Sequence, residues 1–326
     1  MVAHKNKATI LEIQRMSTED GPGIRTTVFF KGCTLRCRWC HNPESISPRP
    51  QIHWLSNQCI GCKICLEVCP EGALTFAAQQ NRIDRNRCNG CGLCAEECPG
   101  AALALLGQSW EVDDLFKEVI KDRTYFETSG GGVTLGGGEP TLQAPFTRAL
   151  LKKLKEARIH TALDTCGMCS GEALKGLLAH TDLLLFDLKE IDAGKHEKFT
   201  GVRNDTILKN LMRVGHAMKS SGRPKALWIR TPIIPNATIT DENIRGIGAF
   251  IAANLDGLVE RWELCAFNNL CKDKYSRLDL TWAYRDCALL SKLQMEKMAA
   301  VAGNSGVDPS IVLFTGSTKL EGKYKR

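Results

Sequence analysis

The clearest periodicity lies beyond residue 105, where helical and extended patterns alternate. Val112, Leu115, Phe116, Val119 and Ile120 recur at the spacing of one helix face, and SGGGVTLGG follows as strand and loop. A helix is predicted over about Pro145 to Ala157, then the strand HTALDTCG, a short helix near Glu172 to Ala179 and the apolar strand LLLFDLK. Next come a helix at about Asp205 to Met218, the strand ALWIRTPIIP, a helix at about Asp241 to Asn254, the strand VERWELCAF, and a C-terminal helix and strand. Such alternation predicts a parallel sheet with right-handed crossovers. In barrel-like α/β enzymes the chemistry collects at the C-terminal strand ends, which here carry GGGEP, DTCG and DLK.

The region before residue 105 is dominated by cysteine. Cys59, Cys62, Cys65, Cys69 and Pro70 are echoed 29 residues later by Cys88, Cys91, Cys94, Cys98 and Pro99, both runs fitting C-x₂-C-x₂-C-x₃-C-P. A zinc reading, two structural four-cysteine knuckles, is the alternative, but the doubled run is far more specific than paired CxxC. The repeat resembles a bacterial two-cluster ferredoxin. That resemblance implies that the fourth cysteine of each run serves the other run's cluster: Cys59, Cys62, Cys65 and Cys98 hold one [4Fe–4S] cube, and Cys69, Cys88, Cys91 and Cys94 the other.

A third cysteine set has a different logic. Cys33, Cys37 and Cys40 in KGCTLRCRWCHNPES form CxxxCxxC, which offers three thiolates to a [4Fe–4S] cube and leaves one iron without a protein ligand. A full cage suits electron transfer, whereas an open position can hold a substrate. The loop resembles that of the radical S-adenosylmethionine (SAM) enzymes, with Trp39 in the aromatic place before the third cysteine. Gly136-Gly137-Gly138-Glu139-Pro140 resembles their second signature, departing slightly at Gly136; Gly138 is placed by this likeness at the SAM ammonium, and His41 beside SAM.

With DGPGIRTTVFFKGC, Asp164-Thr165-Cys166-Gly167, Asp187-Leu188-Lys189 and FTGVRNDTILKNL, the chain resembles the glycyl radical enzyme activating enzymes over nearly its whole length. The resemblance implies a partial (β/α)6 TIM-like barrel begun by residues 1–50, interrupted by a ferredoxin-like two-cluster insert at 51–105 and completed by 106–326. It implies three [4Fe–4S] clusters and SAM, reductively cleaved to a 5′-deoxyadenosyl radical that takes hydrogen from a glycine Cα of a partner enzyme. Asp187, Leu188, Lys189 and Asn268 would approach SAM, and Asp164, Thr165 and Asp187 would hold a monovalent cation. Ala266 and Cys271 replace the proline and glycine that flank the family's SAM-contacting histidine, whose place Asn268 takes. A flavodoxin or ferredoxin is the implied electron donor, and choline trimethylamine-lyase or isethionate sulfite-lyase the favoured kind of partner. The rivals are a radical SAM enzyme acting on a small molecule or peptide, against which the position of the insert argues, and a plain electron carrier, which leaves GGGEP and DLK without purpose.

Composition refines this picture without redirecting it. Sixteen cysteines would suggest disulfides in a secreted protein, but MVAHKNKATILEIQR has no apolar leader core, so a reducing cytoplasm is expected. No apolar run approaches the roughly 18 residues a membrane helix needs. The formal charge of +7 counts cluster thiolates as neutral, and no basic helix supports nucleic-acid binding. Cys166 and Cys169 read as a structural pair, Cys265, Cys271 and Cys287 as buried fillers, Arg230 as a rim cation or a carboxylate's partner, and the tail KLEGKYKR as solvated.

Overall fold

A computed structural model describes residues 7–77 and 80–319, so all but the first residue of the basic tail lies outside the described residues. Its main feature is a nine-stranded sheet in the order β13-β12-β11-β10-β9-β8-β2-β1-β7. The strands are β1 (Lys7–Ser17), β2 (Arg25–Phe30), β3 (Gln51–Trp54), β4 (Leu74–Ala77), β5 (Gln80–Ile83), β6 (Leu103–Leu106), β7 (Gln108–Glu111), β8 (Gly132–Gly137), β9 (His160–Thr165), β10 (Leu183–Asp187), β11 (Ala226–Ile233), β12 (Arg261–Ala266) and β13 (Val312–Thr315).

From β2 through β8 to β13 every pairing is parallel, as the alternating pattern predicts. The remaining edge departs from that expectation: β1 runs antiparallel to both β2 and β7. Its alternating exposure explains why, since an antiparallel edge tolerates one wet face whereas parallel strands are covered on both. The central strand LLLFD is such a covered run, its first four residues buried.

Helices pack on the sheet through stripes of the expected period. The helix Ala144–Glu156 buries Phe146, Leu150, Leu151 and Leu154, with Pro145 in its first turn, where a missing N–H costs nothing. In Asp241–Leu255 the Thr240 hydroxyl accepts from Asn243 N, and Ile244, Ile247, Ile251 and Leu255 face inward. Each such side chain contributes about 1.5–3 kcal/mol by leaving water. A helix not expected from the pattern, Ala193–Thr200, is started by Asp192 accepting from Lys195 N at 2.7 Å. It is too short and polar to show a clear apolar stripe.

Residues 51–106 leave the large sheet as two small antiparallel ribbons, β3–β6 and β4–β5. Ile52, Leu74, Ile83, Cys94 and Leu103 form a separate apolar cluster there.

Candidate cluster and SAM site

The C-terminal ends of the parallel strands open on a cavity of about 270 Å³. Cys33, Cys37 and Cys40 line it from the loop after β2, together with Trp39 and His41. Neighbouring segments fix this loop through its backbone: Arg36 N donates to Thr200 O at 2.6 Å, Arg38 N to Phe199 O at 3.0 Å, and Cys33 N to Ile46 O at 3.1 Å. Trp39 packs against Phe199, ring centroids 6.1 Å apart.

The C-terminal segment closes over the same loop, a role its sequence did not announce. Tyr275 Oη donates to Cys40 O at 2.8 Å, Trp282 Nε1 to Arg38 O at 3.1 Å, and the two rings stack at 5.0 Å. Lys274 pairs with Glu44 at 2.6 Å, and the Cys271 thiol reaches the Cys40 carbonyl.

Burial pushes all three loop thiols up, Cys33 to about 12. Thiols so disposed stay protonated in a dry pocket and become thiolates when a metal replaces the protons. Three convergent, desolvated sulfurs therefore fit an iron–sulfur cluster.

The floor is Gly137 and Gly138. Gly137 has φ +97°, and a Cβ on Gly138 would fall 2.3 Å from Gly32 O. The glycines are thus needed first for the close approach of β8 to the β2 end, where Gly138 N donates to Phe30 O. Glu139 is fully buried and accepts from Thr165 Oγ1 at 2.7 Å, Cys166 N at 2.9 Å and Thr141 N at 3.1 Å. It ties the end of β8 to the end of β9. GGGEP alone does not announce that clamp, because Thr165 and Cys166 lie at the end of another strand.

On the opposite wall stand Asp164, Thr165, Asp187, Lys189, Arg230 and Cys265. Lys189 Nζ is 2.5 Å from Asp187. Burial alone would lower this ammonium, but Asp187 holds it up and charged. Asp164 pairs with Arg230 at 3.1 Å, and Arg230 leans toward Glu263 at 3.7 Å. Burial drives the Asp164 carboxyl upward against the pull of Arg230.

Two expected residues do not line this cavity. Leu188 is fully buried behind it, its carbonyl accepting from Thr231 Oγ1. Asn268 turns its Oδ1 to Leu270 N and its carbonyl to His41 Nε2, leaving Ala266 and Phe267 as the wall. Conversely, Cys166 and Cys265 do face the cavity, whereas Cys169 is held aside, its carbonyl accepting from Asn210 at 2.8 Å. Thr165 gives its hydroxyl to Glu139, and among the described residues no group of three or more His, Cys, Asp or Glu side chains is disposed to hold a lone metal ion, as distinct from a cluster.

The insert has two smaller cavities of about 20 Å³ each. One is lined by Cys59, Cys62, Cys65 and Cys98, the other by Cys69, Cys88, Cys91 and Cys94. The fourth cysteine of each run accepts a backbone N–H in the same way, from Ala73 N to Cys69 Sγ at 3.3 Å and from Ala102 N to Cys98 Sγ at 3.2 Å. Such bonds stabilise thiolate sulfur in a cluster.

Comparison with known proteins decides the family. Residues 85–245 match the radical SAM superfamily, 58–102 a 4Fe-4S dicluster domain and 19–69 a 4Fe-4S single cluster domain. The trans-4-hydroxy-L-proline dehydratase activating enzyme of Clostridioides difficile is 40% identical over 82% of this chain and 87% of its own. The (2S)-3-sulfopropanediol dehydratase activating enzyme of Klebsiella oxytoca is 37% identical over 85% and 87%. The chain belongs to the glycyl radical enzyme activating enzymes. As a radical SAM activating enzyme it works with SAM and iron–sulfur clusters on a glycyl radical enzyme. Its partial-barrel fold is also that of Streptococcus suis SuiB bound to precursor peptide SuiA, at a TM-score of 0.51 and 13% identity over 87% of this chain and 46% of that one. No helix among the described residues of this activating enzyme is long and apolar enough to cross a membrane.

Proposed function

We propose that Cys33, Cys37 and Cys40 hold the SAM-binding cluster of this activating enzyme and that the strand-end groups of the same cavity hold SAM. The carrying observation is that the three loop thiols and the ionisable groups Asp164, Asp187, Lys189 and Arg230 open on one space. Once bound, cluster and SAM would supply one-electron cleavage of a sulfonium carbon–sulfur bond and, through it, hydrogen abstraction from the partner's glycine. Lys189, kept charged by Asp187, offers a donor to the SAM carboxylate. Gly138 presents its carbonyl at the cavity floor, and Trp39 and His41 flank the thiols, with His41 kept neutral by burial. A monovalent cation at Asp164, Thr165 and Asp187 would have to displace their present partners Arg230, Glu139 and Lys189, and SAM cleavage in potassium against lithium buffer is the check.

The two four-cysteine sets of residues 51–105 would each hold a further [4Fe–4S] cluster, making three, and relay electrons from a flavodoxin or ferredoxin. For the partner we favour an enzyme that breaks a carbon–heteroatom bond, choline trimethylamine-lyase and isethionate sulfite-lyase being of this kind. Relatives at 35–40% identity are mostly named for such chemistry, dehydratases and these two lyases among them, beside one indoleacetate decarboxylase.

The test is anaerobic reconstitution followed by electron paramagnetic resonance. Three clusters are expected, one of whose signals changes on adding SAM, with methionine and 5′-deoxyadenosine released under reduction. A SAM-insensitive spectrum would overturn the assignment.

A further inference from the structure

The β3–β6 ribbon sets the order in which the two thiol cages of the insert stand relative to the barrel. Gln51 pairs with Leu106 at the end where the chain leaves and rejoins the large sheet. There Lys31 Nζ, just past β2, donates to Gln51 Oε1 at 2.9 Å, and Gly107 lies against the Lys31 side chain. One residue along, Ile52 lines the cage of Cys69, Cys88, Cys91 and Cys94. At the far end Trp54 and its pairing partner Leu103 line the cage of Cys59, Cys62, Cys65 and Cys98. A strand rise of about 3.3 Å per residue puts roughly 7 Å between these two levels. The cage built mainly from the second run is therefore the inner one, and the other is the outer.

A side-chain bridge links the inner cage to the SAM cavity. Arg85 donates to Ile52 O and pairs with Asp279 at 3.2 Å. Asp279 lies two residues beyond the helix Lys272–Arg277, whose Tyr275 holds Cys40 O.

The mouths of the two cages differ in kind. Between the first two cysteines of the second run stands Asn89, whose amide donates to Glu71 Oε1 at 3.0 Å while its Oδ1 accepts from Cys91 N. Its counterpart in the first run is Ile60, 70% exposed, beside the exposed Cys62 and Lys63. Among the described residues of the insert no large apolar side chain is more exposed. A solvated isoleucine over a metal-binding cage, next to an exposed ammonium, suits a partner face that is apolar at its centre and acidic at its rim.

We infer, on the footing of the relay role proposed above, that the Cys59–Cys62–Cys65–Cys98 cage is the port at which an external one-electron carrier protein docks, its contact centred on Ile60 and Lys63. The inner cage is the onward station. In the transfer the carrier would lose one electron and the cluster held by the outer cage would gain it; no bond forms or breaks.

The reconstituted full chain, mixed with reduced flavodoxin in a stopped-flow cell, gives the rate at which its iron–sulfur absorbance bleaches. Ile60→Glu is expected to slow bleaching about tenfold, through loss of apolar contact and repulsion of an acidic face. Leu93→Glu, at an exposed position between Gly92 and Cys94 of the inner cage, should stay within about twofold of the parent. Both variants should keep their iron content and bleach normally with dithionite. Slowing confined to Leu93→Glu, equal slowing of both, or no slowing of Ile60→Glu would overturn the port. Failure of the relay role itself has a separate signature: joint Cys62→Ser and Cys91→Ser substitution would leave flavodoxin-driven methionine release unchanged.

Discussion

Tyr275 Oη reaches across 235 positions of chain to donate to the carbonyl of Cys40 at 2.8 Å. The bond joins a helix near the C-terminus to the third cysteine of the loop after β2. Tyr275→Phe keeps the stack on Trp282 and removes one hydrogen bond, worth about 1 kcal/mol. A drop of that size in denaturation midpoint is expected, together with faster loss of iron from the Cys33–Cys37–Cys40 set to a chelator. Unchanged iron retention would show that the loop holds its shape without the clamp.

Glu139→Gln should destabilise the protein by roughly 2–3 kcal/mol. An amide keeps an acceptor for only one of Thr165 Oγ1 and Cys166 N and turns a donor toward the other. Because those partners sit beside the SAM cavity, the KM for SAM should rise as well, and urea unfolding with SAM-cleavage kinetics measures both effects.

Lys189→Met removes the ammonium and leaves Asp187 without its partner. At least a tenfold weaker affinity for SAM is expected, about 1.4 kcal/mol. The cluster signal without SAM should be unaltered, so that equilibrium dialysis of SAM beside the resonance spectrum separates lost binding from lost iron.

Gly138→Ala should fail to accumulate as folded protein or lose more than about 3 kcal/mol of stability. Its Cβ would fall 2.3 Å from Gly32 O and 3.0 Å from Phe30 O, both backbone atoms that cannot swing aside. Normal stability on urea unfolding would mean that β2 and β8 can separate at their ends.

Stability should fall in acid, and Asp182 should carry part of the loss. Burial raises this carboxyl, but hydrogen bonds from Lys155 at 2.7 Å, Thr161 N at 3.1 Å and Arg223 at 2.6 Å hold it well below the usual carboxylate range. A depressed carboxylate contributes its full stabilisation above its unfolded value, near 4, and loses it as the pH falls toward the lower folded value. Asp182→Asn should therefore cost roughly 3 kcal/mol at pH 7 and flatten the decline below pH about 4, as urea midpoints across pH will show.

Local chemistry made some parts of the molecule legible in advance. Apolar spacing in Val112–Ile120 and Asp241–Asn254 marks helix faces because period and burial are both properties of a single element. The four-cysteine sets implied by the likeness to two-cluster ferredoxins line the two insert cavities; spacing keeps the first three sulfurs of each run together, while the fourth crosses to the other run. Other features were illegible for equally physical reasons. The antiparallel edge formed by β1 and β7 depends on which strands meet, and Leu188 is covered by the neighbouring strand whose Thr231 holds its carbonyl.

By itself the sequence determined the alternating α/β architecture and its sulfur-bearing loops, because helix and strand periods and ligand spacing are written in consecutive residues. Only the tertiary structure decided that Glu139 clamps two strand ends, that Tyr275 and Trp282 seat the Cys33–Cys40 loop, and that one insert cage stands nearer the barrel than the other. Those relations join residues 26 to 244 positions apart, and nothing in the local sequence sets which distant hydrogen-bond partners a folded chain brings together.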